Sequence, residues 1–171
     1  EILKGSSGKR EMITDGRSKM KKGIIEGFYG IPWTFEEKMS MIKFLAEIDM
    51  DQYIYAPKDD PYHNQEWRKP YPEEEIGKIK ALAELSREEG IEFTWAIHPG
   101  QNPFDFDLYD EEISKIFAKY RQLMDAGVRS FGLCMDDIDK AVAYEKRKAH
   151  TNLIRDLADF VEKETGNHLY F

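Results

Sequence analysis

From Gly23 onward, short runs of β-branched or aromatic residues alternate with longer segments in which apolar residues recur with a helical period. Four strands are predicted at 23–26, 52–56, 91–97 and 128–135, a helical segment follows each of them, and a fifth strand starts at His168. A helix between two strands returns the chain to the same end of the sheet, so that consecutive strands run parallel. The sequence therefore predicts an α/β fold of parallel βα repeats.

Parallel βα repeats form either a doubly wound sheet or a (β/α)8 barrel. A complete barrel takes about 250 residues, whereas this chain has 171. We therefore expect the first half of a TIM barrel that ends at the start of strand five. Such a half exposes two sheet edges and an apolar face, which favours a missing barrel half or self-association as its partner.

Residues 1–22 lack the regular pattern of the rest of the chain. Gly5, Ser6, Ser7 and Gly8 form a flexible stretch, and the basic residues that follow show no apolar periodicity. We interpret 1–22 as a flexible tail or linker and 23–171 as the barrel half.

The formal net charge of −8 restricts the possible partners. Nucleic acids and anionic membranes require a basic face, so we expect neither as a partner, while neutral sugars are compatible with this charge. No apolar stretch approaches the roughly 20 residues of a membrane span. We expect a soluble chain, and its compartment stays open because the single cysteine, Cys134, does not discriminate between compartments.

Local signals predict several helix ends. Thr34 and Glu37 have capping-box spacing at the start of the first helix. Asp110 is the predicted cap of the third helix, and Gly127 and Gly166 are predicted to end the third and fourth helices.

Each of the first four strands ends in a polar or glycine-rich cluster. In a βα-barrel the carboxyl ends of the strands form the active-site face. We therefore expect the four clusters to share one rim: Glu26 to Gly30, Lys58 to Asp60, His98 to Gly100, and Asp136 with Asp137.

The adjacent aspartates Asp136 and Asp137 follow an apolar strand, and they are the strongest catalytic candidates. Paired carboxylates can divide acid and base roles, because sharing a site separates their pKa values. Side chains alternate along a strand, so Asp136 shares the face of Ser130, Gly132 and Cys134. We expect this face of small residues to point to the barrel axis. Asp137 joins Asp136 only if the backbone turns there.

Four motifs in order resemble the amino-terminal half of the catalytic barrel of glycoside hydrolase family 84. They are Glu26 to Trp33 (EGFYGIPW), Tyr53 to Tyr62 (YIYAPKDDPY), Ile97 to Gly100 (IHPG), and Val128 to Phe131 (VRSF) with Asp136 to Ile138. The family contains β-N-acetylglucosaminidases that remove O-linked GlcNAc from proteins, and enzymes known as hyaluronidases. The resemblance implies as partner a glycan or glycoprotein that contains N-acetylglucosamine.

The resemblance also implies a mechanism without a cofactor, a metal or an enzyme nucleophile. The substrate's 2-acetamido oxygen attacks the anomeric carbon and gives an oxazoline, with net retention. Carried over by motif, Asp136 orients the acetamido group and Asp137 is the general acid and then the base. Lys58 binds sugar hydroxyls, and Gly27 lets the backbone approach the ring. In similar enzymes the second half of the barrel brings further sugar-binding residues, so we expect this chain alone to be weakly active or inactive.

Other interpretations stay open. The cluster Asp136, Asp137 and Asp139 could bind Mg²⁺ in a metal-dependent barrel enzyme. Lys58 could be a Schiff-base lysine, although its acidic neighbours favour the ammonium form. Alternatively, the chain is a non-catalytic carbohydrate-binding or assembly piece.

Individual residues also have purely structural interpretations. The aspartate pair could be a turn or a helix cap, Lys58 could pair with Asp59 or Asp60, and His98 could be a hydrogen-bonded structural residue. Cys134 fits a small buried strand residue better than a nucleophile. Five aromatic residues of the strands and turns are expected to pack in the core: Trp33, Tyr53, Tyr55, Trp67 and Trp95.

Overall fold

A computed structural model describes residues 20–100, 102–136, 138 and 140–171 of the chain. Strands and helices alternate along it, as the sequence predicts. The elements are β1 (Gly23–Glu26), α1 (Phe35–Glu47), β2 (Gln52–Tyr55), α2 (Glu73–Glu88), β3 (Glu92–Ile97), α3 (Tyr109–Asp125), β4 (Ser130–Leu133), α4 (Lys140–Glu145), α5 (Arg147–Thr165) and β5 (Leu169–Tyr170). The predicted tail lies almost entirely outside the described residues.

The sheet has five parallel strands in the order β1-β2-β3-β4-β5. Consecutive strands are always neighbours, which is the connectivity of a barrel; a doubly wound sheet reverses its strand order instead. The prediction of an α/β half-barrel that reaches strand five is therefore confirmed.

The helix ends mostly follow the local sequence signals. Thr34 and Glu37 form the predicted capping box at α1: Thr34 Oγ1 accepts from the Glu37 N–H at 3.2 Å, and Glu37 accepts in return from the Thr34 N–H at 2.7 Å. Gly127 and Gly166 follow α3 and α5 with φ of 96° and 75°, which glycine adopts at little cost.

The predicted cap at Asp110 is wrong. A short 3-10 turn at Phe106–Leu108, capped by the Asp105 side chain, leads directly into α3, so Leu108 occupies the cap position. Asp110 lies in the first helical turn. The sequence pattern also missed the 3-10 turn and the short helix α4.

The core lies between the sheet and the helices and is rich in aromatic rings. Phe131 of β4 stacks on Tyr120 of α3 at a centroid distance of 4.4 Å, and Tyr120 packs edge-on against Trp95 of β3 at 6.0 Å. Tyr53, Tyr55, Trp67 and Trp95 are all buried, which confirms the predicted core role of these rings. Trp33 is partly buried against the same core.

The opposite face of the sheet carries the small residues Ser130 and Gly132 of β4, as strand alternation predicts, together with larger residues such as Ile25, Ile54 and Tyr170 of other strands. A polar row crosses the strands there: Gln52 Nε2 donates to Thr94 Oγ1, Thr94 Oγ1 bonds Ser130 Oγ, and Ser130 Oγ bonds Glu92 Oε1, each at 2.8 Å. Beyond Ser130 on the same face, a Cβ at Gly132 would lie only 3.1 Å from Ala96 Cβ. There is therefore little room for a side chain at Gly132, and the large residues of β4, Phe131 and Leu133, point to the helices.

Candidate active site

The parallel register brings the carboxyl ends of β2, β3 and β4 to one edge of the sheet. Beyond the last strand pair, the Cys134 N–H still bonds the Ile97 carbonyl at 2.8 Å. The residues that follow these strands therefore leave the sheet side by side. Three of them, Lys58, His98 and Asp136, are in contact.

Lys58 and Asp136 form the centre of the candidate site. Lys58 Nζ lies 3.4 Å from Asp136 Oδ2, and 78 residues separate the two in sequence. The Lys58 side chain is 13% exposed, whereas that of Asp136 is 56% exposed. The lysine is thus held against the protein, while the carboxylate faces the open side of the sheet edge.

The electrostatic surroundings favour the ionised form of Asp136. Partial burial of this carboxyl acts to raise its pKa, but its own backbone N–H, His98 and Lys58 together act more strongly, so the pKa is lowered. An ionised carboxylate accepts hydrogen bonds and stabilises positive charge nearby.

All four predicted clusters contribute to this edge, although not with every residue. Lys58 Nζ lies 5.4 Å from the centre of the Tyr29 ring, which brings in the loop after β1. His98 Nε2 lies 3.1 Å from the Asp136 carbonyl oxygen, which brings in the loop after β3. His98 is therefore a hydrogen-bonded residue, as expected.

Two acidic residues of these clusters have partners other than Lys58 and His98. Glu26 is on the helix-facing side of β1, where Lys38 of α1 and Tyr53 bond its carboxylate. Asp60 is buried and accepts from the hydroxyls of Tyr55 and Tyr71 at 3.0 and 2.5 Å. The expectation that the whole clusters share one rim is wrong for Asp60, whereas Glu26 still lines a cleft together with Tyr29 and Lys58.

The structural interpretation of Lys58 as a partner of Asp60 is also not supported. The Asp60 carboxylate is occupied by tyrosine hydroxyls and by the Tyr62 N–H at 2.8 Å, whereas Lys58 pairs with Asp136. Sequence proximity favoured the wrong partner, because the pair that forms depends on how β2 and β4 are placed in the sheet.

Gly27 directly follows β1 and is half-buried. A Cβ at this position would meet the Ile25 side chain at 3.5 Å and the Ala56 carbonyl at 4.0 Å, both ordinary contacts. The fold itself therefore does not require glycine here. A cleft of about 230 Å³ lies nearby between the loops after β1 and β2, and Phe28, Tyr29 and Lys58 are among its lining residues.

Cys134 is poorly suited to act as a nucleophile. It is half-buried just beyond β4, and burial, followed by the charge of Asp136, raises the pKa of its thiol to about 11. The thiol form therefore dominates at neutral pH, in agreement with the structural interpretation.

The remaining acidic candidates, Asp137 and Asp139, lie outside the described residues. Within the ranges that the structure describes, no three His, Cys, Asp or Glu side chains are grouped so as to hold a metal ion. Likewise, no helix in the described part of the chain has both the length and the apolar character to cross a membrane.

Fold and site together define the class of protein. Consecutive parallel strands and alternating helices are the features of half a (β/α)8 barrel, and the charged pair lies at the carboxyl edge of its sheet. A beta-N-acetylglucosaminidase family model matches residues 22–169. The chain belongs to this family of glycoside hydrolases, family 84.

Individual relatives agree with the family model. Rat and mouse proteins named Protein O-GlcNAcase are each 38% identical to this chain over 129 residues, which is 72% of this chain and 13% of the relative. This chain thus spans only a small part of the length of these relatives.

Solved structures show the same fold. CpGH84D superposes with a TM-score of 0.77 at 36% identity, covering 84% of this chain and 24% of that one. CpGH84B gives a TM-score of 0.74 at 34% identity, covering 87% of this chain and 26% of that one.

Proposed function

We propose that this chain contributes the amino-terminal half of the catalytic barrel of a retaining β-N-acetylglucosaminidase that removes O-linked GlcNAc. The observation that carries the proposal is the ionised Asp136 carboxylate beside Lys58 at the carboxyl edge of the sheet, in a chain that belongs to this family. The names of the rat and mouse relatives support O-linked GlcNAc as the substrate class.

In the proposed reaction the substrate supplies its own nucleophile. The acetamido oxygen bonds to the anomeric carbon as the bond to the aglycone oxygen breaks, and Asp137 protonates that leaving oxygen. Asp137 then removes a proton from water, which attacks the anomeric carbon and reopens the oxazoline. Two inversions at this carbon give net retention. No cofactor takes part.

Asp136 has the properties that the first step requires. Its carboxylate accepts the acetamido N–H, which orients the oxygen for attack, and its negative charge stabilises the positive charge that develops on the oxazoline. A lowered pKa keeps this group ionised at neutral pH. The exposed side of the carboxylate is available to a ligand.

Lys58 and Gly27 are the proposed sugar-binding positions. The Lys58 ammonium has three N–H donors. One of them points to Asp136 Oδ2 at 3.4 Å, so others can donate to sugar hydroxyls. Packing within the chain does not require a glycine at position 27. We therefore propose that the absence of a side chain there allows a sugar ring to approach the backbone closely.

We further propose that these 171 residues alone turn over substrate weakly or not at all. The chain provides five parallel strands, whereas a complete barrel site draws its residues from loops after eight strands. The purified chain is therefore expected to release little product from an aryl N-acetyl-β-glucosaminide, measured by absorbance. Robust turnover would contradict this part of the proposal.

Ligand binding tests the site independently of turnover. Calorimetric titration with a stable N-acetylglucosamine oxazoline mimic is expected to show binding that weakens about 10- to 100-fold in Asp136→Asn, since a hydrogen bond to a charged group contributes about 1.5–3 kcal/mol. Lys58→Ala is expected to weaken binding in the same direction.

A matched control comes from Lys80 on α2, whose side chain is 58% exposed. Lys80→Ala is expected to bind the mimic like the unmodified chain. Absence of binding by the unmodified chain, or equal binding by Asp136→Asn, would contradict the proposal. If a longer chain with all eight strands binds the oxazoline mimic and yet releases no product, that result would favour a carbohydrate-binding role instead.

A further inference from the structure

His98, the first residue after β3, is fully buried beneath the candidate site. Its Nε2 lies 3.1 Å from the main-chain carbonyl oxygen of Asp136 and 3.6 Å from the Oδ1 atom of the Asp136 carboxylate. A carbonyl oxygen can only accept, so His98 carries its proton on Nε2 and donates it to Asp136. The buried ring thus holds the backbone of the exposed carboxylate.

Gly100 makes room for this contact. A Cβ on Gly100 would lie 2.8 Å from the Asp136 carbonyl oxygen and 3.0 Å from His98 Nε2. Any side chain at this position would therefore press between the donor and the acceptor. The sequence His98-Pro99-Gly100 thus supplies both a hydrogen-bond donor and the space for its acceptor.

His63 also contacts His98. The His63 carbonyl accepts from the His98 N–H at 2.8 Å, and the two rings lie 5.9 Å apart. His63 Nδ1 donates to the Ala96 carbonyl at 2.6 Å. Burial lowers the pKa of His63 to about 4, so this ring is neutral at physiological pH and adds no charge.

Other contacts hold the Asp136 side chain only weakly. The carboxylate is more than half exposed, and Lys58 at 3.4 Å is a long and flexible partner. The Asp136 carbonyl belongs to the peptide bond between Asp136 and Asp137, and a peptide unit is planar. A bond to this oxygen therefore orients the backbone that carries the Asp136 carboxylate.

We propose that His98 is a positioning residue for the proposed glycosidase site: its Nε2–H fixes the main chain at Asp136 and so orients the Asp136 carboxylate towards Lys58 and the substrate's acetamido group. The role in substrate binding rests on the proposed function. The hydrogen bond itself does not, and it is testable without any ligand.

The first measurement is the tautomer of His98 in the unmodified chain, by long-range ¹H–¹⁵N NMR. The Nε2–H form is expected for His98 and the Nδ1–H form for His63. A neutral His98 that carries its proton on Nδ1 would overturn the proposal, whatever the outcome of ligand binding.

The second measurement is the pKa of the Asp136 carboxyl, followed by ¹³C NMR and assigned through its loss in Asp136→Asn. Among the described residues, the charged and titratable groups that interact with this carboxyl are Lys58, His98, His63 and Cys134. His98→Phe keeps a ring of similar size but removes the donor, so the Asp136 pKa is expected to shift upward. His98→Gln retains an amide donor and is expected to restore part of the shift, which a purely structural role of the ring would not explain.

Gly100→Ala tests the same contact from the other side. It is expected to shift the Asp136 resonance and to raise its pKa, as His98→Phe does. Gly77→Ala on α2 is the matched control, because nothing lies within 4 Å of a Cβ there, and His168→Gln is the histidine control on an exposed residue. Neither control is expected to change the resonance or the pKa of the Asp136 carboxyl.

Ligand binding separates this inference from the proposed function. If the unmodified chain binds the oxazoline mimic, His98→Phe is expected to weaken binding about tenfold, with partial rescue by His98→Gln. Failure of the unmodified chain to bind contradicts the proposed function, while the tautomer and the pKa still decide the role of His98. An Asp136 pKa that is identical in the unmodified chain and in folded His98→Phe would overturn the inference.

Discussion

Lys119 on α3 is a buried cation whose removal should change how stability depends on pH. Its side chain is 2% exposed, and Nζ donates to the Tyr62 carbonyl at 2.8 Å. Nζ also lies 4.8 and 5.4 Å from the ring centres of Tyr71 and Tyr62. Burial, opposed by the charges of Asp60 and Glu66, lowers the pKa of Lys119 from 10.5 to about 7.

The sign of the effect follows from proton binding. Below pH 7, Lys119 is protonated in both the folded and the unfolded chain, so it adds no pH dependence. Between pH 7 and 10.5 the unfolded chain holds a proton that the folded chain has released, and the free energy of unfolding therefore rises with pH. Each pH unit contributes about 1.4 kcal/mol, so the rise from pH 7 to pH 9.5 is about 3 kcal/mol at most.

Lys119→Met removes the ionisable group and keeps an unbranched side chain of similar shape. Urea unfolding at pH 6.5, 8 and 9.5 measures the free energy of unfolding of both chains. Groups that titrate alike in both chains cancel in the difference. The free energy of unfolding of Lys119→Met minus that of the unmodified chain is expected to be largest at pH 6.5 and to fall as the pH rises.

Lys80→Met, on an exposed helix surface, is the control and is expected to show no such trend. A difference between the unmodified chain and Lys119→Met that stays constant from pH 6.5 to 9.5 would refute the burial argument. A difference that moves in the opposite direction would do so as well.

Two further substitutions test the fold. Thr34→Ala removes the side-chain cap that accepts from the Glu37 N–H, and urea unfolding is expected to show a loss of about 1 kcal/mol; an unchanged midpoint would contradict the capping role. Tyr71→Phe removes a 2.5 Å hydrogen bond to buried Asp60 and is expected to cost about 1–3 kcal/mol, while Tyr144→Phe at an exposed position should be close to neutral. Equal stability of the two variants would argue against Asp60 as a buried acceptor.

The fold was largely predictable because its signals are local and repeated. The Thr34 capping box, Gly127 and Gly166 each determine a helix end through the nearest backbone atoms, and the structure confirms all three. The Asp110 prediction failed because a competing local signal, the Asp105-capped turn, starts the helix earlier. Helix α4 has only six residues and no buried side chain, so it carries no apolar stripe from which to predict it.

The site was predictable in part. Strand alternation correctly assigned Ser130 and Gly132 to the face away from the helices, and the resemblance selected Lys58 and Asp136, which lie 3.4 Å apart. Their roles in catalysis remain proposals. The contacts of His98 with Asp136 were not predicted, since 38 residues separate them and only the pairing of β3 with β4 brings them together.

Buried charges were the least predictable feature. Buried Lys38 pairs with buried Glu26, and buried Glu112 pairs with half-buried Arg68 across 44 residues, although charged side chains are usually exposed. A charged residue is seldom buried without a partner, and in these two pairs the partner lies on another element of the fold. No periodicity in a single sequence contains that information.

The polar row of Gln52, Thr94, Ser130 and Glu92 also has a consequence for the register of the strands. It bonds side chains of three neighbouring strands, so sliding β4 against β3 by two residues would break Thr94 from Ser130 even though every side chain kept its face. The row thus fixes the register of β2, β3 and β4, and this register determines where their last residues lie at the edge of the candidate site. Ser130 lies at the start of β4, about 10 Å of strand from its other end at Leu133. A substitution at Ser130 is therefore expected to change the alignment of the loops that follow the strands, although it is distant from Asp136.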